Sequence, residues 1–444
     1  MTSPPLGLDH ERRLRELVTE AFRRTGVPGG IVQFVRADGP VLTVEYGELG
    51  ANDPVMLGST SKSLTATLLL QLAEEGMIDL NAPVVQYQPQ AKVPRDVTIS
   101  DLAHHCSGLA TDATPRRMRL ARSRRFHYAN QNYNLLGQLI EAVLGLPFSA
   151  ALQQRILTPL GMTDRANPGA DAVHTAFRLP RAQSVGHVGV FGLPVPVRAF
   201  PAGADSWIQS PSGATYASAA DAGRFLSMLL SGGVANGQRI LSPAAVERMF
   251  HDVVPADGSP AVTGVLGETG EYGFGWVRKR FRDQWVHLHV GKVPGSTTVF
   301  VLLPALELGF ALLVNIGDFL VRQPLVERLA ENIIRILVGT HLLSVPNHWT
   351  RQALLNVTYA AILGGAAAGA RAIPKRPAAQ LAYHGLLPAT LAFGVRKLSA
   401  TPWPWLFRFV PDAAVVLGAA AGVSTITGML ELARSIGPAG KEAP

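Results

Sequence analysis

Five β-branched or aromatic runs bracket a helix-leaning middle, and this order most constrains the fold. Near the start, Ile31 to Val35 and Val41 to Tyr46 are separated by Ala37-Asp38-Gly39-Pro40, which predicts a β-hairpin. Much later, Trp285 to Val290, Thr297 to Leu303 and Phe310 to Val314 alternate with turn residues and predict an antiparallel meander. Before the first pair, His10 to Arg24 has helical spacing with Leu14, Leu17, Val18 and Phe22 on one face. After the last strand, Gln323 to Val338 is amphipathic. Between them, Ser61 to Gly76, Gln131 to Leu144 and Ala219 to Leu230 read as helices, and Pro168 to Pro211, rich in Gly and Pro, reads as loop. The expected fold class is α/β: an antiparallel sheet flanked by helices, interrupted by an inserted all-α domain, over residues 1–340.

The last hundred residues change character. No charged residue falls in 352–370, 377–395 or 413–430. Each stretch approaches the length needed to cross a bilayer core, so residues 341–444 are expected to form a membrane segment of three transmembrane helices. Trp403, Trp405 and Phe407 precede the third stretch as an interfacial belt would. The small residues in these stretches would permit close helix packing. The expected partner is therefore a lipid bilayer. Met1 to Arg24 has charges at Asp9, Glu11, Arg12, Arg13 and Arg15 and no apolar h-region, so no signal peptide is read. Loop charges divide almost evenly between the two possible orientations. The expectation leans to an extracytoplasmic catalytic domain.

Composition excludes several classes. With 47% hydrophobic and 16% charged residues the chain is not disordered. Cys106 is its only cysteine, which rules out an intrachain disulfide and a Cys-rich zinc site. The net charge of +8 is unevenly spread. Arg116, Arg117, Arg119, Arg122, Arg124 and Arg125 cluster together, either as a solvated loop or as a cationic rim for an anionic substrate or headgroup. No aromatic interleaving accompanies them, so no nucleic-acid partner is expected.

Three short patterns carry chemistry. Ser59-Thr60-Ser61-Lys62 opens a predicted helix, which puts Ser59 and Lys62 on one face. A serine needs a base to become a nucleophile, and a lysine serves if burial holds it partly neutral. Tyr128-Ala129-Asn130 precedes the next helix. A phenolate stabilised by a lysine ammonium can accept a proton, and Asn130 offers a donor and an acceptor to a substrate amide. His289-Val290-Gly291 lies on the first strand of the meander, where a strand edge can align an acyl group and Gly291 permits close approach. Each alone has a plainer explanation: a capped helix, a core tyrosine, a structural histidine.

Together, in this order and on these elements, they resemble the serine β-lactamase and penicillin-binding-protein superfamily, in particular its class C β-lactamase-like branch with esterases and D-amino-acid peptidases. Leu57 to Pro83, with Glu75-Gly76 and Asp79-Leu80, is similar to the family's nucleophile helix. His105 with Ser107-Gly108-Leu109 resembles its structural His-x-Ser-Gly-Leu turn. Tyr272-Gly273-Phe274-Gly275-Trp276 and Pro294-Gly295 resemble the strands near the third motif. The likeness spans residues 8 to 338.

The resemblance implies that Ser59 is acylated, that Lys62 shares its proton and tunes Tyr128, and that Tyr128 acts as base and then acid. It implies that Asn130 holds the substrate amide, and that the backbone N–H groups of Ser59 and Lys292 form the oxyanion hole. Two departures weaken a β-lactamase or D,D-carboxypeptidase reading: His289 replaces a lysine and Val290 replaces a hydroxyl residue. Lys292 stands where small residues are usual, either restoring a cation or pointing to solvent. The family turn explains His105 beside His104, so no metal and no cofactor are expected.

The expected function is a membrane-tethered serine hydrolase acting on a small-molecule or peptide substrate of acyl-D-amino-acid type. The layout resembles prodrug-activating peptidases of peptide natural-product pathways, although those carry a signal peptide. A small-ester hydrolase and a catalytically silent membrane sensor or scaffold are the competing readings.

Overall fold

The computed structural model describes residues 7–111, 120, 125–162, 186–197, 210–259, 262–372 and 410–436. Helix α1 (Leu8–Thr25) buries Leu14, Val18 and Phe22 along one stripe and ends at Gly26, whose φ of 63° the left-handed cap requires. The chain then forms β1 (Gly29–Arg36) and β2 (Gly39–Gly47), paired through a tight turn with a bulge after Phe34. Later come helix α2 (Ser61–Glu74), helix α3 (Asn130–Leu144), strands β3 (Gly186–Val190) and β4 (Leu193–Val197), and helices α4 (Ala219–Leu230) and α5 (Pro243–His251). The meander follows as β5 (Val254–Pro255), β6 (Glu271–Tyr272), β7 (Val277–Phe281), β8 (Gln284–Val293), β9 (Ser296–Leu303) and β10 (Leu308–Val314). Helix α6 (Gln323–Leu337) closes this part.

One antiparallel sheet results, in the order β2-β1-β10-β9-β8-β7-β6-β5. The N-terminal hairpin sits beside the last strand, with Gly30 opposite Val314. Alternation along the strands gives the sheet two apolar faces. Val32, Phe34, Val299, Val301 and Leu312 pack with α1 and α6. Ile31, Val35, Phe300 and Leu313 pack with α2, α3, α4 and α5. Burial of each such side chain contributes about 1.5–3 kcal/mol.

Helix α2 is buried all round, which explains why it lacks a polar face. Its hydroxyls are satisfied inside: Ser63 donates to the Gly275 carbonyl at 2.9 Å and Thr65 to that of Pro211 at 2.8 Å.

Several expectations are corrected. The helical middle, expected as an inserted all-α domain, lies with the sheet in one compact unit, residues 1–188 and 194–347. The expected loop between Pro168 and Pro211 contains the hairpin β3–β4 and ends in a helical turn from Ser210, while 168–185 and 198–209 lie outside the described residues. The meander starts earlier than expected. β7 was hidden by its charges, yet Lys279 is buried and donates to the Gly267 carbonyl at 2.5 Å, while Arg278 stacks over Trp285 at 3.7 Å.

A second compact unit comprises Gly189–Leu193 and His348–Pro444. In it, α7 (His348–Ala372) and α8 (Pro411–Ile436) bury Tyr359, Ala413 and Val416 together and leave Leu354, Val357, Ile426 and Met429 exposed. These helices contain the first and third uncharged stretches, while 377–395 lies outside the described residues. Among the described residues no single helix is both long and apolar enough to cross a membrane. The shortfall is apolarity: 25 residues would reach about 37 Å, but Ala and Gly dominate much of α7.

Candidate active site

Ser59 lies on a 3₁₀ turn (Gly58–Thr60) that runs into α2. Gly58 has φ of 59°, and a Cβ there would stand 2.6 Å from the Lys292 backbone nitrogen. Glycine therefore lets this turn press against β8. Gly291 completes the contact, because a Cβ at 291 would collide with the Leu57 carbonyl and the Thr298 hydroxyl. Its role is to admit the chain just before Ser59. The Lys292 N–H is thereby held beside the nucleophile turn.

Lys62 is fully buried, and its Nζ lies 3.2 Å from Ser59 Oγ, 2.7 Å from Asn130 Oδ1 and 2.6 Å from the Ser212 carbonyl. It also stands 4.9 Å from the Tyr128 ring centre. Burial pulls the lysine pKa well below its ordinary value. Three acceptors would suit an ammonium, but a neutral amine fits equally well. It has two N–H bonds for the two carbonyl oxygens and one lone pair for the serine hydroxyl. Only the serine among these three partners can donate in return.

Burial also raises the Tyr128 pKa, with nearby Ser59 partly offsetting the effect. The phenol oxygen is shielded from solvent and has no hydrogen-bond partner of normal geometry. Both groups are thus driven toward their neutral forms.

The Tyr128–Asn130 segment is held by the His105–Ser107 turn together with Asn132, which motif spacing did not single out. His105 adopts φ of 57°, and its Nδ1 accepts from Asn132 Nδ2 at 2.9 Å and from the Ala129 N–H at 3.3 Å. Ser107 Oγ donates to Asn132 Oδ1 at 2.5 Å. The His105 ring centre lies 4.3 Å from that of Tyr128 and 4.9 Å from that of Tyr272. Its neighbour His104 turns away to the backbone carbonyls of Ser100 and Asp252, so the two histidines do not converge.

His289 is buried, with Nε2 3.1 Å from the Tyr272 hydroxyl and Nδ1 3.1 Å from the Val290 carbonyl oxygen. Burial, reinforced by Lys62, lowers its pKa to about 3, so it carries no positive charge at neutral pH. Lys292 neither restores a cation nor points to solvent. Its Nζ pairs with Glu327 on α6 at 2.8 Å. From His289 to Val293, β8 pairs with β9 alone, because β7 reaches only as far as Leu288. Among the described residues no strand pairs with the other edge of β8 next to Ser59.

Of the expected site residues, Ser59, Lys62, Tyr128 and Asn130 come together, with Gly291 and the Lys292 backbone alongside and His289 behind Tyr128. Arg116, Arg117, Arg119, Arg122 and Arg124 lie outside the described residues. Among the described residues no group of His, Cys, Asp and Glu could hold a metal.

Residues 14–331 match the Beta-lactamase family. Penicillin-binding protein 4 of Amycolatopsis lactamdurans is 30% identical over 285 residues, covering 59% of this chain and 71% of that protein. Two solved structures are similar. The D-stereospecific amidohydrolase from Streptomyces sp. has a TM-score of 0.55 at 25% identity, covering 71% of this chain and 97% of that one. The D-amino acid amidase from Ochrobactrum anthropi SV3, complexed with L-phenylalanine amide, has a TM-score of 0.61 at 22% identity, covering 74% and 99%. With the match spanning the whole sheet and the helix that carries Ser59, the chain belongs to the β-lactamase and penicillin-binding-protein family of serine hydrolases.

Proposed function

We propose that this protein is an amidase or peptidase of the class C β-lactamase-like branch that forms an acyl-enzyme on Ser59 and acts on acyl-D-amino-acid-type substrates. The observation that carries the proposal is the placement of Lys62 Nζ, 3.2 Å from Ser59 Oγ and anchored on Asn130 Oδ1 and the Ser212 carbonyl, where its neutral amine could take the serine proton. Lys62 takes the Ser59 proton as Oγ bonds to the substrate carbonyl carbon. The Ser59 and Lys292 N–H groups stabilise the resulting oxyanion. Tyr128, neutral, hands a proton to the departing amine and is reprotonated from Lys62, and the C–N bond breaks. Water then attacks the ester, giving its proton back through the same groups, and Ser59 Oγ leaves protonated. Asn130 keeps Oδ1 on Lys62 and offers its amide nitrogen to the substrate.

Charge selects the substrate. β8 presents no uncommitted cation: His289 is neutral, Val290 is apolar and Lys292 is matched by Glu327. A free carboxylate beside the scissile bond has no anchor there, which favours amides and esters over penicillins. The two structural relatives named for D-stereospecific amide hydrolysis accord with this.

The test is turnover of an acyl-D-amino-acid amide, a short-chain ester and benzylpenicillin, with intact-mass detection of the adduct. The amide is expected to turn over fastest, and Ser59→Ala to lose both adduct and turnover. Faster ester cleavage would establish an esterase. Faster penicillin cleavage would reject the charge argument. No adduct and no turnover with any of them would favour a silent scaffold.

The proposal extends to residues 341–444 as a bilayer tether holding the catalytic domain outside the cytoplasm. The exposed Leu354, Val357, Ile426 and Met429 support a lipid-facing surface.

A further inference from the structure

We propose that Glu327 is a positioning residue for the reaction: it clamps Lys292 so that the Lys292 backbone N–H stays aimed at the oxyanion. This rests on the acyl-enzyme reading above. Side chains alternate along β8. His287 stacks on Phe250, on the α2 side of the sheet. Val286, Leu288 and Val290 pack on the α6 side, and so does the Lys292 side chain. The Lys292 nitrogen lies against Gly58, beside Ser59. One residue therefore reaches two ways, its side chain to α6 and its backbone to the nucleophile.

The need for a clamp follows from the sheet. Among the described residues, His289 to Val293 has a neighbour strand on one side only. Gly291, required for the close approach to Leu57, contributes no packing of its own. An edge with few anchors moves, and an oxyanion donor loses its effect when it moves. Glu327 is built to resist this. It is 6% exposed, it accepts a second bond from Gln323 Nε2 at 2.8 Å, and Gly264 (φ 124°) lets a loop close over its carboxylate with no room for a side chain. These contacts fix the carboxylate before it meets Lys292, so the ammonium takes its position from α6.

The experiment uses the full chain and three variants, Glu327→Gln, Lys292→Arg and the double variant Lys292→Met/Glu327→Leu. The last replaces the pair with apolar contacts and leaves no lone buried charge. Glu327→Gln and the double variant are expected to lower kcat about 10- to 100-fold, short of the 10²- to 10³-fold loss of a whole oxyanion donor. KM is expected to stay within about twofold, and a boronic-acid analogue of the tetrahedral intermediate to weaken in proportion to kcat. Lys292→Arg, which keeps the pair, is expected to lose less kcat than either variant that removes it. Unchanged kcat in a folded double variant would overturn the clamp. So would a rise in KM at constant kcat, which would place the pair in contact with substrate. Fluorophosphonate labelling of Ser59 in the unaltered chain separates the failures. No labelling sinks the acyl-enzyme reading, whereas full labelling with indifferent variants sinks only the clamp.

Discussion

Lys62 and Tyr128 respond to the same burial in opposite directions, and pH distinguishes their roles. The lysine pKa falls and the tyrosine pKa rises, so burial favours the neutral form of each. With Lys62 as base, kcat/KM falls as pH drops through its lowered pKa, because protonation removes the lone pair. Stability moves the same way: the unfolded chain binds this proton below about 10.5, the folded one only below its lowered value, so folding weakens as pH falls between them. Tyr128→Phe is expected to slow turnover about 10²- to 10⁴-fold yet keep the acidic limb. A limb that vanishes in Tyr128→Phe, measured as kcat/KM against pH, would make the tyrosine the base. Ser59, Lys62, Tyr128 and Asn130, which the structure brings together, could be singled out because the proposed chemistry needs particular side chains at short, regular spacings. Ser212 and Asn132 could not be. Ser212 contributes a backbone carbonyl that any residue could supply, and Asn132 acts through a tertiary bond to His105.

At the level of elements, the nucleophile turn and α2 depend on β8, whose backbone lies against them. Gly291→Ala would drive a methyl group into the Leu57 carbonyl and push β8 off the nucleophile turn. A loss of about 10²-fold or more in kcat/KM is expected, with Ser59 still labelled slowly by a fluorophosphonate. Wild-type turnover in that variant would show that the strand and the turn do not need this contact. The long helices and the strands of β-branched residues were readable because their apolar periods survive in the sequence. β3, β4 and β7 were not, for two reasons. Gly and Pro punctuate the first two, and the charges of β7 are absorbed by Trp285, Glu271 and a loop carbonyl. The mate of Lys292 was invisible for the same reason: nothing local ties β8 to Glu327 on α6.

For the whole molecule, the two compact units predict separable properties. A chain ending at Asn347 is expected to hydrolyse the amide and stay in aqueous buffer. The full chain is expected to partition into liposomes. If it stays in the aqueous phase without detergent, α7 and α8 are not a tether. Protease cleavage of the catalytic unit in intact cells is expected from its proposed outward placement, and cleavage only after lysis would reject it. Sheet order has one more consequence, for synthesis. The first strand made, β1, bonds to the last, β10, and Ser59 waits for the backbone of β8. Closing so distant a pairing is slow and comes late on the ribosome. On the proposed mechanism, a nascent or prematurely terminated chain carries the serine without its oxyanion donor, and is expected to be inert until translation of the catalytic unit is almost finished.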